Sequence, residues 1–389
     1  MPDTPRTAHA PAAPEHAAGT MPAHTVGPAS GSASDIPHSI CFLVRNPHDN
    51  PENGVALARA ALGMGLAVAF GAAATLALHG GDVTCSVHTV TQAARQETAQ
   101  AASCADTNTG GAASGTQAAR PNHSTRPDHC AQPNNPACFH DLHVAPQGRT
   151  VPLASFGHVQ VLSFGPRASF LDYLQLLRLL AEGVPVTNSP DALMHLNSKY
   201  LMAGMGRLFP TPLTHASTDA DTLWSVVSQS DEPWIVKPPA EAFGRDVFLI
   251  SRADTNARAI LQSMTGHGTG RYCLLQQYVP QIRQGEVRVL LAGGRVVGQY
   301  RRRAAQDHRT NLAQGAVSEP CELTPEERAL CDRLGTWLLE RGVVFAGVDL
   351  AYPYIIECNV LSPGGIATIA ELTGHDLSGT VLRGILGIP

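Results

Sequence analysis

Three oxygen-bearing side chains near the end of the chain are spaced as a cation site requires. They lie in Phe345-Ala-Gly-Val-Asp349-Leu-Ala-Tyr-Pro-Tyr-Ile-Ile-Glu357-Cys-Asn359. If 345–350 and 354–359 are strands, Glu357 and Asn359 stand two apart and share a face, because successive side chains of a strand alternate. A hairpin brings Asp349 beside them. Two carboxylates and a carboxamide suit Mg²⁺, which takes few protein oxygens and completes its shell with phosphates. Read alone, the same segment is also a polar-faced hairpin with an asparagine turn signal.

Cations that could face such a metal occur upstream. Lys237 ends the apolar run Trp234-Ile-Val-Lys237, where burial without an anion is costly. Gly244, seven residues on, would let backbone approach a phosphate closely. Lys199 is a second isolated cation, in Leu196-Asn-Ser-Lys199-Tyr-Leu. By itself each lysine reads first as a solvent-facing side chain. In Tyr300-Arg301-Arg302-Arg303, followed by Arg309 and Asn311, the arginines could grip an anionic substrate or an acyl phosphate. A nucleic-acid patch and a solvated loop are the other readings. Leu275-Gln276-Gln277-Tyr278-Val279 ends a strand before Pro280, so its backbone could meet an adenine edge, with Glu286 accepting from ribose hydroxyls and Arg288 two residues on. A plain exit from strand to loop reads the same way.

These residues need a scaffold. Residues 39–44 read as a strand, 52–65 as a helix and 66–70 as a second strand, the opening of a β-α-β unit. The pattern resumes with a strand at 158–164, a helix at 169–182 and a short strand at 184–188. Asn188-Ser189-Pro190 starts a helix that continues through DALMHLNSKYLMAGM. Strands follow at 234–237, 247–250, 272–277, 286–292 and 295–301. Thr324-Pro-Glu-Glu327 has the form of a capping box for a helix at 324–341, and a last helix spans about 377–386. The fold class expected is α/β followed by α+β, with antiparallel hairpins from Trp234 onward.

Composition narrows the function classes. A net charge of −5 gives no global attraction to nucleic acid or anionic membranes. No run approaches the ~20 apolar residues that span a bilayer, and the first residues lack the apolar core of a signal peptide. A cytoplasmic location is the expectation. Residues 1–38 and about 91–136 are poor in large apolar side chains and read as a disordered tail and a disordered insertion. The nine cysteines form no CxxC pair, and Cys130 and Cys138 among nearby histidines match no zinc spacing.

Taken in order, these segments resemble the bacterial glutathione synthetase family of the ATP-grasp superfamily. The resemblance is carried by GTGRYCLLQQYVPQIRQGEVRVLLAGGRVV, HRTNLAQGAVSEP and FAGVDLAYPYIIECNVLSP. It implies an N-terminal α/β (pre-ATP-grasp) domain over 39–188, then an ATP-grasp domain over 189–389 whose lid spans about 210–275. It implies ATP as cosubstrate, with Lys199 and Lys237 on its phosphates, 275–279 as the adenine hinge and Glu286 as the ribose ligand. Asp349, Glu357 and Asn359 would ligate Mg²⁺ (Mn²⁺ as the alternative), with two ions expected. Arg288, Arg301 and Asn311 would face the substrate and the transferred phosphoryl group, and the loop 302–317 would close over it. The implied reaction joins a dipeptide carboxylate to an amino-acid amine through an acyl phosphate, in a homo-oligomer with small-molecule substrates and no nucleic-acid or membrane partner. Where the family has a glycine pair followed by arginine, this chain reads Gln314-Gly315-Ala316-Val317. That departure points to substrates other than γ-glutamylcysteine and glycine as the competing reading, and a nucleotide-binding protein without catalysis is a third.

Overall fold

The structure is a computed structural model and describes residues 37–49, 52–93, 141–239, 246–303 and 316–389. Most of the predicted tail and nearly all of the predicted insertion lie outside the described residues, as do Gly244, Asn311, Cys130 and Cys138.

The N-terminal sheet is built on parallel strands β1 (Ser39–Val44), β2 (Ala67–Ala72), β7 (His158–Val161) and β8 (Val186–Thr187), with β1 between β2 and β7. Helix α1 (Glu52–Gly63) makes the first crossover and α2 (Phe170–Leu180) the second. An antiparallel extension was not expected: β3 (Ala77–His79), β4 (Asp82–Gln92), β5 (Leu142–Val144) and β6 (Arg149–Pro152) all pair on or through β4, which joins the sheet beside β2. Its signal is present in the sequence. Gly80 and Gly81 both have positive φ and make the two-residue turn between β3 and β4. Val83, Cys85 and Val87 then alternate into the core.

The helix expected through 191–205 is two helices, α3 (Pro190–Leu196) and α4 (Tyr200–Met205). Asn197 leaves helical geometry at φ −77, ψ 58, and the Ser198 hydroxyl accepts from the Tyr200 amide at 3.1 Å. A serine offering this local bond competes with continuation of the helix. Lys199 therefore stands at the junction of the two helices rather than along one.

A small sheet, β11-β10-β12-β9, follows: β9 (Thr214–Ser217), α5 (Ala220–Ser228), β10 (Trp234–Lys237), β11 (Phe248–Ile250), α6 (Ala257–Met264) and β12 (Cys273–Gln277). One face of it packs Trp234, Val236 and Leu275 under α5 and α6. The last sheet, β15-β14-β13-β16-β17, comprises β13 (Glu286–Ala292), β14 (Arg295–Arg303), β15 (Val317–Glu319), β16 (Phe345–Ala351) and β17 (Tyr354–Asn359). Helix α7 (Pro325–Leu339) begins with the capping box read from the sequence, both reciprocal bonds being formed. Helices α8 (Ile366–Thr373) and α9 (Ser378–Leu386) close the chain.

The first and last sheets share cores. Leu57 of α1 and Phe70 of β2 join Leu290, Tyr300, Phe345, Ile366 and Val381 in one cluster. Asn188 adds a polar stitch: its Nδ2 donates to the carbonyls of Phe345 and Val360, both at 2.7 Å. Its Oδ1 accepts from the amides of Val344 and Phe345 at 2.7 and 2.9 Å. A buried amide with four bonds fixes where β16 begins and where β17 ends.

His158 lies opposite Ile40 in the first sheet, 5% exposed, and its Nε2 has no partner among the described residues. Burial pushes its pKa down to about 4, so the folded chain holds it neutral. A histidine whose folded pKa is lowered costs stability as pH falls from the unfolded value of about 6.5 toward 4, because only the unfolded chain takes up the proton. We expect about 3 kcal/mol of stability to be lost across that window from this residue. Denaturant unfolding at pH 7 and pH 4.5 should show a visibly smaller loss in His158→Gln; identical slopes would exclude the assignment.

Candidate active site

The charged cluster forms at one end of one face of the last sheet. Val287, Val289, Leu291, Val348 and Leu350 face the α7 side. On the other face, Leu290 and Ala292 are apolar and covered, whereas Glu286 and Arg288 continue the same row as charges. Arg288 pairs across to Asp349, and Asp349 pairs directly with Glu357. Asn359 stands opposite Gly347 on the same face and donates to Asp349 Oδ2 at 3.4 Å. Gly347 is required here: a Cβ on it would come within 2.7 Å of Pro363 and 3.4 Å of Arg288.

Two β-bulges set this geometry. Pairing in the final hairpin runs Ala351–Tyr354, Leu350–Ile355, then Asp349–Glu357, so Ile356 is an extra residue. Without it Asp349 would face Ile356. With it Ile355 stays in the core while Glu357 turns toward Asp349, the re-aiming that bulges commonly provide beside functional sites. The β13–β14 hairpin has the same device. The register passes from Leu291–Val296 to Leu290–Gly298, and Glu286 consequently faces Arg302.

This corrects one expectation from the sequence. In a regular hairpin Arg301 would oppose Glu286; the bulge puts Arg301 on the opposite face, against Cys321. Arg302 takes the inward position. It is 4% exposed, is bonded to Glu286, and meets Asp349 Oδ1 at 2.6 Å. Nothing in a run of three arginines marks the middle one, so only the extra residue in the turn-proximal strand could have revealed it.

Arg288 is a clamp. Its Nε and Nη2 donate to Asp349 Oδ1 and Oδ2 at 2.6 and 3.1 Å, and Nη1 donates to the Gly364 carbonyl at 3.1 Å. Bidentate pairing of this kind fixes orientation as well as charge. Burial pushes Asp349 upward, but Arg288 and Arg302 more than offset it and hold the carboxyl below its ordinary range. Burial, opposed by Arg302 and reinforced by Asp349, leaves Glu286 raised.

Both lysines reach the cluster from separate elements. Lys199 Nζ donates to Glu357 Oε1 at 2.6 Å. Lys237 ends β10 on the face of the small sheet away from its apolar core, and its Nζ donates to Gln276 Oε1 at 2.9 Å. Burial lowers the Lys237 pKa; Glu357, Glu286 and Asp349 pull it up and Lys199 pushes it further down, so all five groups share one field. Burial would raise Glu357, but Lys199 and Lys237 hold it below the usual carboxylate value.

The segment expected to meet adenine divides. Leu275 belongs to the core under α5 and α6, while Gln276 faces the cluster side, bonding Lys237 and, through Nε2, Thr214 at 3.1 Å. The amides of Gln277 and Tyr278 are taken by the carbonyls of Leu213 and Pro233. Val279 is buried where the chain passes from the small sheet to β13.

Among the described residues, no group of three or more His, Cys, Asp or Glu side chains is arranged to hold a metal. The Asp349–Glu357–Asn359 set is instead two carboxylates and a carboxamide. Its donors are hard oxygens on one face, and Lys199 engages only one oxygen of Glu357 in the bond described. The donor chemistry fits a magnesium ion shared with phosphates. No helix among the described residues is long and apolar enough to cross a membrane.

Comparison with known proteins agrees with this architecture. Residues 201–374 match the family model described as prokaryotic glutathione synthetase, ATP-grasp domain. The chain is 30% identical to the glutathione synthetase of Nitrosomonas europaea over 236 residues, 60% of this chain and 72% of that protein. It is 33% identical to the Pseudomonas syringae enzyme over 207 residues, 52% of this chain and 63% of that one. For the Escherichia coli enzyme the figures are 32% over 213 residues, 54% and 66%. Among solved structures, an ATP-grasp RimK domain protein of Sphaerobacter thermophilus superposes with a TM-score of 0.55 at 15% identity, covering 90% of this chain and 100% of that one. The macrocyclase MdnC of Microcystis aeruginosa, bound with its precursor peptide, gives 0.54 at 11% identity, covering 90% and 99%. These two likenesses establish the ATP-grasp fold alone. The sequence matches place the chain in the bacterial glutathione synthetase family of the ATP-grasp superfamily, whose members are ATP-dependent ligases that form C–N bonds.

Proposed function

We propose that this chain joins the carboxylate of a dipeptide resembling γ-glutamylcysteine to the amine of an amino acid resembling glycine, through an acyl phosphate, releasing ADP and phosphate. The observation that carries the reading is the convergence of Lys199 and Lys237, from two different elements, on the face bearing Asp349, Glu357 and Asn359.

In this reading Lys199 and Lys237 hold the triphosphate. Glu357 and Asn359 would hold Mg²⁺, with Asp349 fixed beside them by Arg288, and the ion would neutralise charge on the phosphoryl oxygens. Attack of the dipeptide carboxylate on the γ-phosphorus gives an acyl phosphate and ADP; the amine then displaces phosphate. Fixed cations lower the barrier because they are already oriented when charge moves. Arg288 holds both Asp349 and the Gly364 carbonyl, so the loop after β17 is set relative to the carboxylates before substrate arrives. Asn311 is assigned a substrate contact by family resemblance, and Gly244 a phosphate contact by the conformational freedom of glycine at that position.

Val317 favours a second reading within the same chemistry. It is 61% exposed, opposite Arg303 on β15, at the position where the family has an arginine. A ligase for a different acceptor or amine follows if the substrate carboxylate is not held there. ADP release, measured across a panel of acceptor dipeptides and amines with product masses recorded, tests both. A product heavier than γ-glutamylcysteine by a glycine residue supports the first reading, and turnover with another pair alone supports the second. No ADP release with any pair would remove ligase activity.

A further inference from the structure

Among the described residues, three carboxylates lie on the charged face, and the cations beside them are divided unequally. Asp349 receives both Arg288 and Arg302; Glu286 receives Arg302. The side chains of Arg302, Glu286 and Asp349 are each only 5–6% exposed. The single Nη2 of Arg302 bridges both carboxylates in a buried site, and separating them strands charges away from water. Glu357 is different. Its described cation is the Lys199 ammonium, a point charge on a flexible stem, in a pair whose side chains are 17% and 28% exposed. An ammonium can swing to a phosphate; the arginine bridge has no comparable freedom.

We propose that Arg302 is a fixed internal cation standing where a second metal ion would otherwise be held, so that this chain takes up one divalent metal per nucleotide, centred on Glu357 and Asn359. The inference rests on the ATP-dependent reading above and departs from the two ions that family resemblance implies. It follows from the bulge in β13–β14: the extra residue turns Arg302 onto Glu286 and Asp349 and commits both carboxylates to a guanidinium.

The test is a stoichiometry. The full chain is dialysed to equilibrium with Mn²⁺ and the non-hydrolysable β,γ-imido analogue of ATP. Bound nucleotide is counted by absorbance, and free Mn²⁺ by its electron paramagnetic resonance signal. One bound Mn²⁺ per bound nucleotide is expected, and two would overturn the proposal. In Arg302→Met the ratio should rise above one, since Glu286 then loses its bonded cation and Asp349 keeps only Arg288; Arg302→Lys should keep it at one. A folded Arg302→Met that still binds one ion would overturn the role given to Arg302. Should that variant not fold, the wild-type ratio decides by itself. Absence of nucleotide binding would overturn the ATP-dependent reading as well, whereas two ions with nucleotide bound would leave that reading standing.

Discussion

Replacing Glu357 with glutamine lowers kcat/KM for the ligation by about 10³-fold, the loss expected when a charged group at the phosphoryl-transfer centre is neutralised. Glutamine keeps the volume and one acceptor oxygen for Lys199, so the fold is preserved. What disappears is the negative charge that draws a metal to this end of the sheet and offsets two lysines. The thermal midpoint should move by no more than about 3 °C, because a partly exposed pair contributes little to stability. The pH dependence carries a signature. Glu357 has a folded pKa below its unfolded value, so its stabilising contribution is complete above about pH 4.3 and is lost as pH falls through the folded value. The glutamine variant lacks that acid-side loss. Initial rates at saturating metal, with calorimetry at pH 7 and pH 4, check both parts. Activity within fivefold of wild type would take Glu357 out of the metal-binding role.

Why this residue could be singled out, and others could not, is a matter of range. Asp349, Glu357 and Asn359 lie within eleven consecutive positions, where strand alternation is enough to suggest a shared face. The capping box of α7 is likewise local, and both bonds form as read. The Lys199–Glu357 contact joins residues 158 positions apart, and no local pattern marks it. The bulges were illegible for another reason. An extra residue in a hairpin has no compositional mark, yet one position shifts every side chain of the strand to the other face. In β14 that shift exchanges Arg301 for Arg302. In the final hairpin it brings Glu357, rather than Ile356, opposite Asp349. The antiparallel strands β3 and β4 could have been read from their glycine turn and alternation, but they fall at the end of a long apolar stretch where strand and helix patterns overlap.

The face that results is costly for the folded chain. Among the described residues, four cations and three carboxylates meet within it, and several have lost most of their water. Buried ion pairs seldom add net stability, because desolvation consumes the attraction they regain. A stable sheet would place apolar residues there, as this one does at its other end with Leu290 and Ala292. Charged residues persist in such positions where a ligand completes their pairing, and departures from the best packing choice concentrate at functional sites.

Lys237 shows that cost most directly, and its replacement should move stability and binding in opposite directions. Burial lowers its pKa despite three nearby carboxylates, so the ammonium is held against a net unfavourable field. Since the folded pKa lies below the unfolded value of about 10.4, folding is disfavoured by this charge at neutral pH, and stability climbs as pH rises through that interval. Methionine retains the alkyl stem without the charge. Gln276 loses one donor but keeps its bond to Thr214. Lys237→Met is therefore expected to raise the nucleotide-free melting temperature by about 2 °C. It should also weaken nucleotide binding by about 10²-fold, the value of one charged hydrogen bond to a phosphate. Thermal scans with and without Mg·ATP separate the two effects, because the stabilisation given by a bound ligand falls as its dissociation constant rises. A variant that melts several degrees lower, yet is stabilised by Mg·ATP as strongly as wild type, would place Lys237 in the framework of the small sheet and not on the phosphates.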